Sequence, residues 1–196
     1  MRETTDATPP ASATTGDQGN ASGDQAPAAK VDLQRFELLR SALYHEDRED
    51  WYGRISRVTT FIVLLLGSGA VAAFGASYEI VGQLAGLAIA TLSGASLVWD
   101  MSGRMQTHAV LKRRFFWLMA DLERGRALEE VTAEATMIYA DEPPAMCAVN
   151  SVAHNRAGRN TYGSDYDRVE LRWYQRRFRH WAAFRSLEEP QAKAAA

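Results

Sequence analysis

The sequence predicts an all-α fold: an antiparallel two-transmembrane helical hairpin with long cytoplasmic helical extensions, a small C-terminal helical region and a disordered N-terminal tail. Three observations carry this reading. Two uncharged blocks, 58–78 and 80–99, hold 21 and 20 residues and are parted by Glu79 alone. At the rise of an α-helix each reaches ~30 Å, the thickness of a bilayer's hydrocarbon core. Basic residues flank the pair of blocks and leave the turn between them bare.

Residues 1–30 are dominated by Ala, Thr, Gly, Ser, Pro, Asp and Gln and hold no aromatic side chain. Such a stretch buries too little apolar surface to offset the entropy of ordering, so a low-complexity tail is expected. It has no apolar core of the kind a secretory signal peptide carries. The mean hydropathy of −0.28 suggests a soluble protein only because polar flanks dilute the two blocks. A net charge of −2 and a pI near 6.1 give no sign of a nucleic-acid binder. Cys147 is the single cysteine, which excludes an intramolecular disulfide and fits a small packed residue.

Segment 31–57 reads as an amphipathic cytoplasmic helix, with Asp32 as N-cap and Leu33, Phe36, Leu39 and Leu43 as its apolar stripe. The hairpin itself fills 58–99. Neither block alternates apolar and polar residues, which argues against strands. Neither keeps a charged face over five turns, as a surface helix of a soluble protein does. The competing reading is a buried two-helix core. Residues 77–79 are too few for anything but an antiparallel turn, with Gly75 and Gly82 beside it.

The membrane boundary is marked by Trp51, Arg54 and Arg57 before the first block, Tyr78 at the turn, and Trp99, Asp100 and Arg104 after the second. Indole and phenol rings favour the interface, and Lys and Arg favour the cytoplasmic side. Arg48, Lys112, Arg113 and Arg114 add to the same bias. The expected location is therefore the inner (plasma) membrane, multi-pass, with both termini cytoplasmic and the lipid bilayer as partner.

In lipid, helices associate by close backbone approach. Gly82, Gly86, Ala90 and Gly94 give the second span one small residue per turn on one face, and Ser68, Ala72 and Ala76 give the first a similar ridge. The ridge either seals the hairpin or also drives self-association into a homo-oligomer. Polar positions for a pore wall are Gln83, Thr91, Ser93 and Ser96 with Thr59, Thr60 and Ser68; they form no single stripe.

Segment 100–126 continues without proline to Gly125, a natural helix stop. Positions 32–57 and 100–125 span the same length, so residue i should face residue 156 − i. Arg57 should then approach Asp100, and the acids at 46–50 should oppose 108–114. Segment 127–187 holds shorter helices: one on Leu128, Val131, Ala135 and Ile138, and one opened by Pro144 that buries Met146, Val149 and Ala153 and ends near Gly158. Residues 158–167 read as a loop. The stretch from Asp167 onward reads as a helix rich in Arg and aromatics, and 188–196 as a flexible tail. In it Arg172, Trp173, Arg176, Phe178 and Trp181 suit either a helix packed on the stalk or one lying on anionic lipid, with nucleic acid a remote third.

No phosphate-binding glycine loop, zinc-protease motif or nucleophile–base arrangement is present, and His45, His108, His154 and His180 share no metal-ligand spacing. The acids of "YHEDRED" point in successive directions around a helix and suit a solvated or salt-bridged face. No catalysis, cofactor or metal is expected.

The run "LLRSALYHEDREDWYGRISR", the two spans, "HAVLKRRFFWLMADLE" and "YADEPP" together resemble the SLATT group, two-transmembrane domains associated with SMODS and SLOG proteins of bacterial conflict systems. The resemblance covers about residues 33–155. It implies a membrane effector, with pore formation among the proposed modes, that answers a nucleotide signal sensed by a cytoplasmic partner. It supplies no catalytic residues. A non-lytic scaffold whose cytoplasmic helices dock a soluble partner is the rival reading.

Overall fold

The computed structural model describes residues 21–68, 75–163 and 166–181. These are all-helical: α1 (Ala21–Leu66), α2 (Glu79–Val98), α3 (Met101–Glu123), α4 (Leu128–Ala140), α5 (Cys147–Tyr162) and α6 (Trp173–Arg177). The expected all-α class holds.

α1 is the spine, and α3 runs antiparallel along it. Arg35 meets Glu123 at 2.8 Å, Glu49 meets Lys112 at 2.6 Å, and Gly53 faces the Met105 sulfur. These pairs lie close to the register in which i faces 156 − i. Near the turn at Tyr78 the backbones of Gly75 and Gly82 touch. A Cβ on Gly75 would fall 2.9 Å from the Gly82 Cα, so only glycine permits that approach.

Below the apolar blocks the chain builds an ordinary core. α3 turns His108, Leu111, Phe115, Leu118 and Leu122 inward at helical spacing. The last four join Leu38 and Ala42 of α1 and Val131, Ala135 and Ile138 of α4 in one buried cluster. On the opposite side of α1, Phe36, Leu43 and Tyr44 pack against Val149, Ala153 and Ala157 of α5. Helices on both flanks bury α1 on every side from residue 41 to residue 45. Full burial of one such large apolar side chain contributes about 1.5–3 kcal/mol.

The apolar blocks behave differently. α2 buries no residue, and Val58, Phe61, Leu64, Leu65, Ile80, Leu84, Leu87, Leu97 and Val98 are all exposed. Among the described residues one helical stretch, Glu79–Glu123, is long and apolar enough to cross a membrane; its 18-residue window has mean hydropathy 1.6, and none of it is buried.

Several expectations are corrected. α1 starts at Ala21, so Asp32 is an interior residue and not the N-cap, residues 21–30 are helical, and Leu33 is exposed. α1 closes at Leu66, where Gly67 and Ser68 bond back to Val63 and Leu65; glycine and serine propagate a helix poorly. α2 and α3 are two helices and not one. Asp100 adopts a left-handed conformation (φ 41°), and its carboxylate accepts the Gly103 N–H at 3.0 Å, restarting the helix. Because that carboxylate is used as a cap, Asp100 makes no ion pair with Arg57 among the described residues. Glu49 does oppose Lys112, but Glu46 and Asp47 both turn to Arg156 of α5.

α5 begins at Cys147, with Pro144 outside it, and runs past Gly158 to Tyr162. The helix expected from Asp167 shrinks to the single turn Trp173–Arg177. Its upstream part is extended because the Asn155 amide clamps Val169: Nδ2 donates to the Val169 carbonyl at 2.8 Å, and Oδ1 accepts the Val169 N–H at 2.9 Å. A backbone satisfied by a side chain has no need of helical partners. The proposed tail over 1–20, Ala72 in the first span, and residues 182–196 lie outside the described residues.

Candidate functional site

The predicted boundary residues fall into two groups. Trp51, Arg54, Trp99, Arg176 and Trp181 line one groove of about 1050 Å³, where the apolar stems of α1 and α2 meet the C-terminal segment. Arg57, Arg172, Trp173 and Phe178 stand outside its lining, and Tyr78 lies far off at the turn. Asp100 and Arg104 line a neighbouring cavity of about 550 Å³ with Tyr44, Arg48, Tyr52 and His108. Arg104 donates from Nε to the Trp99 carbonyl at 3.1 Å, bridging the break between α2 and α3.

Among the described residues of the small-residue ridge, Gly82 packs within the chain, against Gly75. Gly86, Ala90 and Gly94 are exposed, and a Cβ added to Gly86 or Gly94 meets nothing within 4 Å. The half-buried face of α2 toward α1 is instead Ala85, Ile89, Leu92 and Ser96. Ser68 is half-buried at the bend after α1, and Ala76 is exposed beside the turn.

Between groove and bundle core lies a buried polar chain that sequence reading missed. His45 and His108, on α1 and α3, face each other Nδ1 to Nδ1 at 2.8 Å, and His45 Nε2 lies 3.0 Å from Glu142 Oε1. A carboxylate only accepts, so His45 Nε2 carries hydrogen, and the two Nδ1 atoms share one proton between them. His45 stacks on Phe115 and His108 on Tyr52. Burial, helped by the positive charges near His45, Arg48 and Arg104, holds His108 down at about 3, so its ring is neutral. The chain can pass a proton between Glu142 and His108. The register was the available signal: it set residue 45 opposite 111, one turn from His108.

Arg48 is the second buried group. Its guanidinium donates to the Tyr52 hydroxyl at 2.6 Å and lies over the Tyr52 and Trp51 rings at 4.7 and 5.1 Å. It has no carboxylate partner among the described residues, so aromatic faces and the His180 carbonyl at 3.4 Å compensate its charge. His180 is buried and stacked on Trp51. Arg179 Nε donates to His180 Nε2 at 3.0 Å, which leaves the proton on Nδ1; the 3.4 Å approach of Arg48 to Nδ1 is then a contact between two donors. Burial first, then Arg179, Arg48 and Arg54, hold His180 at about 3.

Comparison with protein families, with curated proteins and with solved structures finds no match to this chain.

Proposed function

We propose that the chain is a non-enzymatic integral protein of the bacterial inner membrane that self-associates through its hairpin and perturbs the bilayer when triggered from the cytoplasm. In this reading blocks 58–78 and 80–99 are the two spans, both termini are cytoplasmic, and the α1–α3–α4–α5 bundle receives the signal from a soluble partner, a nucleotide sensor in the SLATT-like case. The observation that carries it is the contrast along α1. Its middle, residues 41–45, is wrapped on all sides by protein, and its last turns present exposed leucine, valine and phenylalanine side chains beside an α2 that buries nothing. An apolar surface of that extent needs a cover other than water, and lipid supports this reading. Self-association is supported by the outward ridge of Gly86, Ala90 and Gly94, which lies open for a second helix.

Controlled expression with membrane potential as readout tests the proposal. Depolarisation is expected for the native chain and its loss for the G86L/A90L variant, with the variant still in the membrane. Unchanged potential and growth while the native oligomer is present would refute the effector role. The scaffold reading is favoured by one observation. The bundle exposes Trp117 and Met137, far from the apolar blocks, which suits docking of a soluble protein. In that case substitution of Trp117, and not of Gly86, removes function.

A further inference from the structure

We propose that the groove beside Trp51 holds one anionic phospholipid, its phosphate on the arginines of the C-terminal segment and its acyl chain along the α1–α2 stems. The inference rests on the membrane reading and names the lipid chemistry that the boundary recognises.

The groove has two chemically distinct ends. Ile55, Val58, Leu92 and Ala95 form an apolar slot between the stems, where a chain of methylenes fits and a soluble anion gains nothing. At the other end Arg54, Arg176, Arg177 and Arg179 converge from two separate parts of the chain. None of the four makes an ion pair among the described residues. Arg54 donates only to the Asp50 carbonyl, Arg177 lies over the Phe178 ring, and Arg179 donates to His180. The nearby acid Asp47 is bonded to Arg156 at 2.9 Å and also attracts Arg179, so its one negative charge offsets only part of the four cations. The net field at this end is therefore positive and suited to a phosphate, for which the guanidinium fork is the matching donor.

Trp51, Trp99 and Trp181 also line the groove, and such amphipathic rings favour the headgroup level of a bilayer. Trp51 is fixed by its stack on His180 and its edge contact with Trp181. That contact ties the cationic segment to the stem, so the two ends keep their spacing. The volume of about 1050 Å³ suits one lipid headgroup with the upper part of its chains. The cationic end sits on the side where the positive-inside rule places the cytoplasmic leaflet, which carries the anionic lipids.

The full chain, purified in detergent, is titrated with phosphatidylglycerol or phosphatidylcholine and examined by native mass spectrometry. The expected result is one phosphatidylglycerol retained per chain and little phosphatidylcholine. The R176Q/R177Q/R179Q variant should bind phosphatidylglycerol about 100-fold more weakly, three cations having been removed. The R176K/R177K/R179K variant should keep most of the affinity, which separates lost charge from lost fold. Equal retention of both lipids, or full competition by inorganic phosphate, would overturn the proposal. Carbonate extraction of membranes distinguishes the two levels. A chain that stays with the membrane but shows no lipid preference refutes the groove alone, whereas a chain released to the supernatant refutes the membrane reading beneath it.

Discussion

α2 and α3 are consecutive helices of similar length, 20 and 23 residues, yet α3 buries five side chains and α2 none. They are parted only by the Asp100 cap, and both lie along the same partner, α1. The difference is in the pattern of the sequence. α3 turns its buried side chains inward at spacings of three and four and carries Arg, Lys and Gln around them, with Val110, Phe116 and Trp117 left exposed, so protein covers one stripe of a mixed surface. α2 is apolar almost all round, so no stripe is singled out, and a mixed face of Ala85, Ile89, Leu92 and Ser96 turns toward α1. Two helices against one partner thus specify two different surroundings.

The sharpest way to break the comparison is to truncate one large apolar side chain in each region. Phe115→Ala, at a position fully buried between α1 and α4, should lower stability by about 3–5 kcal/mol in detergent melts. Leu87→Ala on α2, where the native side chain is 65% exposed, should stay within ~0.5 kcal/mol. Comparable losses would mean that protein covers the outer face of α2.

The next prediction separates lipid from water at sites of matched exposure. Leu87 on α2 is 65% exposed and Trp117 on α3 is 67% exposed. Arginine at a span centre costs ~3 kcal/mol of insertion free energy, so Leu87→Arg should shift chain from the membrane fraction to the soluble or degraded pool. Trp117→Arg should leave fractionation unchanged, because water already wets that surface. Identical behaviour of the two variants would end the distinction between the regions.

The same contrast explains what sequence reading recovered. Val131, Ala135 and Ile138 were legible because α4 has one buried face, and that face follows the helical period. The groove residues Trp51, Arg54, Trp99, Arg176 and Trp181 were each named from charge and ring chemistry, which are local properties. Their convergence was not legible, because it depends on the Asn155 clamp that redirects the chain before α6. α1 was misread as a one-stripe helix because a spine packed from both flanks leaves no stripe, and Ser41 and His45 count among its buried residues. His45 and His108 are 63 positions apart, and only an accurate register brings them together. The Asp100 break was hidden because Asp is an unremarkable helix residue until Gly103 offers it an amide to cap.

Acid should separate the regions by a smaller and graded effect, since the buried imidazoles belong only to the bundle side. His108 and His180 are both held at about 3, below the ordinary value of 6.5 that they regain on unfolding. The unfolded chain therefore binds protons that the folded one refuses, and stability is complete above 6.5 and falls as pH drops from 6.5 toward 3. Each imidazole contributes ~1.4 kcal/mol per pH unit across that window. Around His108 the relevant charges are His45, Arg48 and Arg104, with Glu142 bonded to His45; around His180 they are Arg179, Arg48 and Arg54. Asp47 acts in the opposite sense, its carboxyl raised by burial. His180→Phe keeps a ring on Trp51 and removes one of the two titrating groups. The slope of stability against pH between 6 and 4.5 should then fall to about half. An unchanged slope would mean that His180 does not titrate with folding.

The smallest effects are expected where the two long helices meet through charge. Arg35–Glu123 and Glu49–Lys112 both bridge α1 and α3, at 2.8 and 2.6 Å. The first pair is half-exposed, 53% and 51%, while the second is only 25% and 27% exposed. Water and salt screen the first pair more, and both long side chains lose rotamer freedom in forming it. Arg35→Ala should therefore cost ~0.2 kcal/mol and Lys112→Ala nearer ~1 kcal/mol, and added salt should narrow the gap between them. Lys112 lies one turn beyond His108, so its pair holds the register that brings His108 to His45. A double-mutant cycle of Glu49 and Lys112, read in detergent melts at low and high salt, isolates that contribution from the packing of the lysine stem. A coupling as weak as that of Arg35 and Glu123 would leave apolar packing at Phe115 and Leu118 as the feature that sets the α1–α3 register.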